Sequence, residues 1–95
     1  MILYKVHQSP FEHQALSQCI DRLTSDDGLL LVQSACYAAG NTNALSEKLS
    51  KVNNLYVLSD DLLARGIECQ LKNCQPIDYN RMVELCLEYD QVISW

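Results

Sequence analysis

Neither a cluster of lysines and arginines nor an apolar run near the ~20 residues that a membrane-spanning helix requires occurs anywhere in this chain. The first absence, together with a net charge of −5, argues against a domain that grips nucleic-acid phosphates by itself. If nucleic acid is involved, another subunit holds it. The second absence, with an N-terminal MILYKVHQSP that has neither a secretory apolar segment nor a small-residue cleavage site, predicts a soluble cytoplasmic protein with no membrane partner. Also missing are GxGxxG, the P-loop, GxSxG and HExxH, so the usual enzyme signatures are absent and no cofactor is expected. Five cysteines, at 19, 36, 69, 74 and 86, include no CxxC, and their odd number in a chain with no export signal reads as free thiols. A zinc site from Cys69, Cys74, Cys86 and a histidine has no spacing that resembles a ribbon or finger, so no metal is predicted.

What is present is organised around Gly28 to Asn41, GLLLVQSACYAAGN. Leu29, Leu30, Leu31 and Val32 make an uninterrupted apolar run of strand length between two glycine breakers. A strand apolar on both faces is buried on both faces. Among helical segments that places it at the centre of a mostly parallel sheet with helices on each side. The loop after it, Gln33 to Tyr37, then lies at the carboxyl end of the sheet, where open α/β sheets place ligands and partners. With 95 residues, 48% of them hydrophobic, the chain is read as one α/β domain over 1–95. Its core is thin enough to leave apolar surface for a partner.

Along the chain, Ile2 to Val6 reads as a strand, and Ser9-Pro10-Phe11-Glu12 as a helix start with a capping box. Phe11, Ala15, Leu16, Cys19, Ile20 and Leu23 form one helical stripe. Tyr37 to Gly40 reads as a helical turn, Asn43 to Lys51 as a short helix with Leu45 and Leu49 inward, and Leu55 to Leu58 as a strand. Ser59 to Gly66 is a helix with a serine cap, acids in the first turn, Arg65 in the last and Gly66 beyond it. Ile67 to Gln75 is a loop or a weak element, and Pro76 to Tyr79 a short extended piece. Asp78 or Asn80 caps a final helix carrying Met82, Val83, Cys86 and Tyr89, and Val92 to Trp95 is a last strand. The order β-α-β-α-β-α-β-α-β fits a three-layer α/β/α sandwich.

Thiols are the remaining chemical candidates, as nucleophiles or sulfur carriers. Cys19 lies in the apolar stripe of the first helix, which reads as core. Cys36, after the central strand, is either a thiolate helped by a following helix N-terminus or a small residue filling a tight turn. Cys86 reads as core; Cys69 and Cys74, in the uncertain segment, read as exposed and without a role. His7 and His13 have no local partner that would make either a base. Asp60 and Asp61 do not share a helix face and read as helix-end charges, and Trp95 is tucked into the core or offered to a neighbour.

His7-Gln8-Ser9-Pro10-Phe11, Leu29 to Gln33 with Tyr37-Ala38-Ala39, Tyr56-Val57-Leu58 with Asp61 to Ile67, Asp78-Tyr79 and Trp95 together resemble the small sulfur-relay subunits of the TusB/DsrH family. The resemblance runs end to end. It implies a fold like that of the DsrE/DsrF/DsrH proteins, on a central five-stranded sheet, and a heterohexamer built as a dimer of trimers. Each trimer would hold one TusB-like, one TusC-like and one TusD-like chain. In the Tus branch such a complex takes persulfide sulfur from an upstream carrier and hands it to TusE, toward the 2-thiouridine of the tRNA wobble base; in the Dsr branch a similar complex serves oxidative sulfur metabolism. The family's principal sulfur-carrying cysteine belongs to the TusD/DsrE-type subunit, which makes this chain an accessory one. Cys19 matches a cysteine of DsrH-type members that many TusB-type members lack, and keeps a persulfide-carrier role open at that position. A stand-alone homo-oligomer binding a small ligand after Val32 is the alternative of a different class.

Overall fold

The computed structural model describes residues 1–40 and 45–95. Five strands, β1 (Ile2–Val6), β2 (Gly28–Leu31), β3 (Asn54–Leu58), β4 (Cys74–Ile77) and β5 (Gln91–Ser94), form one sheet in the order β4-β3-β2-β1-β5. Every neighbouring pair is parallel, with Leu3 opposite Gly28, Leu29 opposite Leu55, Leu55 opposite Cys74 and Leu3 also opposite Val92. All four residues of β2 are buried, as the apolar run requires of a central strand. Each of its leucines contributes about 1.5–3 kcal/mol by leaving water.

Alternate residues divide the core. Tyr4, Val6, Leu29, Leu31, Leu55 and Val57 face α1 (Ala15–Arg22), a 3-10 helix (Gln33–Ala39), α2 (Ser46–Ser50) and α3 (Ser59–Ala64). Leu3, Leu30, Val32, Leu58 and Ile77 face α4 (Tyr79–Glu88), which covers the other side of the sheet. The three layers are therefore unequal. α4 buries Leu85 and half-buries Met82, Cys86 and Tyr89, an i, i+3, i+4, i+7 stripe. Val83, expected on that stripe, is displaced from it and 56% exposed.

Several expected punctuation marks are placed differently. Ser9 does cap a turn, its Oγ accepting from the Phe11 N–H at 3.2 Å and its carbonyl from His13 at 3.1 Å. The turn is not continued, and α1 begins at Ala15 without a side-chain cap. Glu12, His13 and Gln14 offer nothing to bury against the sheet and Phe11 is exposed, so packing supports the helix only from Leu16 onward. Gly28 lies inside β2 rather than before it: a Cβ there would stand 2.8 Å from the Tyr89 ring and 3.0 Å from Leu3 Cδ1, so glycine is what lets Tyr89 pack on the sheet. The Ser59 hydroxyl donates to the Ile77 carbonyl at 2.9 Å, tying the start of α3 to the end of β4 instead of capping α3. Gly66 closes α3 as expected, at φ 64° with the Ile67 N–H returned to the Leu62 carbonyl.

The expected start of α2 at Asn43 lies outside the described residues; within them α2 runs Ser46–Ser50 and buries Leu49. The uncertain stretch resolves into a loop followed by β4, an edge strand whose Pro76 has only Val57 to pair with. Asp78 is the cap of α4, accepting from the Arg81 N–H at 2.8 Å. Trp95 is packed within the chain. Its ring meets Tyr4 edge-on at 6.4 Å and carries the Arg22 guanidinium 5.2 Å from its centroid. Asp27, buried before β2, accepts from the backbone N–H groups of Ile2 at 2.9 Å and Thr24 at 3.0 Å.

Candidate functional site

Because all five strands run the same way, their carboxyl ends meet at one edge of the molecule. There the chain leaves β2 through Gln33, which takes φ 49°, the left-handed region that non-glycine residues adopt only where the surroundings hold them. The holding contact is the Asp61 carboxylate: Oδ2 accepts the Gln33 N–H at 2.7 Å, and Oδ1 stands 3.7 Å from the Arg65 guanidinium. Asp61 is thus more than a helix-end charge. Its partner lies 28 residues away, beyond the reach of any local pattern.

Two hollows open at this end. One, of about 150 Å³, is bounded by Lys5, Gln33, Asp61, Tyr79 and Met82 on the α4 side. The other, of about 420 Å³, lies on the opposite side between the exposed rings of Phe11 and Tyr37 and the loop from Gly66 to Gln70. A hollow of about 270 Å³ between α1 and α2 is lined by Lys48 and Lys51, but Lys48 is already paired with Asp21 at 3.1 Å.

The thiols do not line the carboxyl end as nucleophiles. Cys36 is wholly buried in the 3-10 helix, its Sγ directed at the Leu31 carbonyl at 3.6 Å. Burial pushes its thiol up to about 12; the Asp61 charge adds to this and Arg65 opposes it. Of the two readings of Cys36, the residue that fills a tight turn is the one seen. Cys19 is wholly buried between α1 and the sheet, and burial pushes it also to about 12, with Arg22 pulling it back and Asp27 adding. Cys74, expected to be exposed, is instead buried, because it opens β4 and pairs with Leu55 of β3; burial raises its thiol, and Cys69 beside it adds to this. Cys69 and Cys86 are half-buried. No side-chain hydrogen bond joins His7 or His13 to a thiol among the described residues, and no three of His, Cys, Asp and Glu stand together as metal ligands there. None of the described helices is long and apolar enough to cross a membrane. The arrangement is an edge with two open hollows, with the buried thiols Cys19, Cys36 and Cys74 behind it.

Comparison with known proteins agrees with this architecture. Residues 8–92 match the family described as DsrH like protein. Protein TusB of Yersinia pestis and Protein TusB of Yersinia pseudotuberculosis are each 36% identical to the chain over 96 residues, covering 99% of it and 100% of their own length. Among solved structures, the ychN protein of E. coli superimposes with a TM-score of 0.79 at 14% identity, covering 99% of this chain and 97% of its own, a likeness of fold.

Proposed function

The chain belongs to the DsrH-like family, and from that premise we propose that it is an accessory subunit of a cytoplasmic sulfur-relay complex that passes persulfide sulfur toward 2-thiouridine at the tRNA wobble position. The observation that carries the accessory role is the state of the thiols: Cys19 and Cys36 are sealed in the core and pushed to about 12, so neither supplies a thiolate at neutral pH. In this reading the sulfur is carried by another chain, and this one completes the assembly. TusC-like and TusD-like chains are the proposed partners in a heterohexamer, a dimer of trimers, with a TusE-like acceptor beyond it. The acidic chain, of net charge −5, makes no nucleic-acid contact of its own in this reading.

Co-expression with TusC-like and TusD-like proteins tests it. A native mass corresponding to a hexamer with two of each chain is the expected result, and a homo-oligomer that ignores both partners overturns the reading. The second reading, a DsrH-type subunit carrying sulfur on Cys19, draws support from Arg22, whose charge lowers the cost of a thiolate at that position. It requires a mass gain of one sulfur atom on loading, lost in Cys19→Ser; an unchanged mass of the loaded chain removes it.

A further inference from the structure

The loop that leads into β4 brings the thiol of one cysteine and the backbone N–H of another to one backbone oxygen. The Leu71 carbonyl accepts the Cys69 thiol at 3.6 Å and the Cys74 N–H at 3.2 Å, which turns the loop back on itself. That shared carbonyl holds the Cys69 side chain beside Cys74. Cys69 is half-buried, while Cys74 is 7% exposed and fixed by the pairing of β4 with β3. Cys36 stands behind both, on the same side of the sheet. Cys86 is across the sheet and belongs to the other half of the core.

We propose that Cys69 and Cys74 form a two-electron redox site, joined by peroxide into an intrachain disulfide that fastens the loop to the start of the edge strand β4. The chemistry balances in two steps. The Cys69 sulfur attacks one peroxide oxygen, breaking the O–O bond to give a sulfenic acid and one water. The Cys74 sulfur then attacks the Cys69 sulfur; an S–S bond forms, the S–O bond breaks, and the hydroxide leaves with the Cys74 proton as a second water. Two thiols are oxidised and one peroxide is reduced. Exposure sets the order, because Cys69 is the sulfur that an oxidant reaches first. The inference does not depend on the relay function proposed above.

The test uses the full chain, reduced, freed of reductant, treated with increasing hydrogen peroxide, then denatured and alkylated. The expected product is lighter by two hydrogens, takes up two fewer alkyl groups than the five free thiols allow, and yields a cross-linked peptide containing Cys69 and Cys74 that dithiothreitol releases. Cys69→Ser and Cys74→Ser each abolish it, and Cys86→Ser, outside the pair, retains it. Five alkylations at every peroxide dose, a bridge through Cys19, Cys36 or Cys86, or Cys69 driven to sulfinic acid with Cys74 still free would each overturn the proposal. The peptide map of the unsubstituted chain decides the matter even where a variant folds poorly.

Discussion

Asp61 holds Gln33 in a left-handed backbone conformation, through a 2.7 Å hydrogen bond from the Gln33 N–H to the carboxylate. One side chain on α3 thereby sets the direction in which the chain departs from the central strand, and so the shape of the carboxyl-end crevice. Removing the carboxylate leaves a strained residue without its restraint. Asp61→Ala is expected to lower stability by about 1–3 kcal/mol in denaturant unfolding. Gln33→Gly should raise it by about 1 kcal/mol, since the exposed Gln33 side chain contributes little packing and glycine removes the steric cost. A stabilised Asp61→Ala protein would show that the contact is incidental.

Gly28 and Tyr89 are a packed pair. Gly28→Ala should cost about 1–3 kcal/mol, because the new methyl group meets the Tyr89 ring and Leu3, which must shift to admit it. Removing the phenolic oxygen relieves part of the clash, so Gly28→Ala with Tyr89→Phe should be less destabilised than the two single changes together predict. Strict additivity in thermal unfolding would refute the pairing.

Asp27 makes stability depend on pH in the acid range. Burial acts to raise its pKa, but the Thr24 and Ile2 N–H groups outweigh this and hold it below the ordinary 3.8. A carboxylate with a lowered folded value adds stability above its unfolded pKa and loses it as pH falls toward the folded one. Unfolding midpoints should therefore drop steeply below about pH 4, and Asp27→Asn should flatten that limb while lowering the plateau at neutral pH.

Cys19 and Cys36 give the opposite dependence. Their folded values, raised from 9.0 to about 12, mean that the stability from keeping both thiols neutral is complete below pH 9.0 and is lost as pH rises toward 12. In the native chain at neutral pH, iodoacetamide should label Cys69 and Cys86 well before Cys19, Cys36 or Cys74. Equal labelling of Cys19 and Cys69 would contradict the burial described here.

The sheet was legible in the sequence where strands are continuous in character. Leu29-Leu30-Leu31-Val32 announces a strand buried on both faces, and the short, mostly apolar segments Ile2–Val6 and Leu55 to Leu58 are nearly as plain. β4 was only half legible, because Cys74-Gln75-Pro76-Ile77 is an edge strand whose pairing on one side satisfies few constraints. Local motifs misled where a hydroxyl had a distant choice: Ser59 prefers the Ile77 carbonyl, 18 residues on, to capping its own helix. The site was found only by position. The carboxyl end of β2 followed from the strand pattern, but the Gln33 and Asp61 contact and the approach of Cys69 to Cys74 arise from folding and leave no periodic trace.

The order β4-β3-β2-β1-β5 has a consequence for a chain emerging from the ribosome. β1 is synthesised before the other four strands and lies inside the finished sheet, yet its outer neighbour is residues 91–94. Until those residues emerge, β1 offers a bare row of N–H and C=O groups, and the last pairing joins segments almost a whole chain apart. A nascent chain of this kind is vulnerable to pairing with a neighbour of its own kind on a crowded polysome, and closure by β5 ends that exposure.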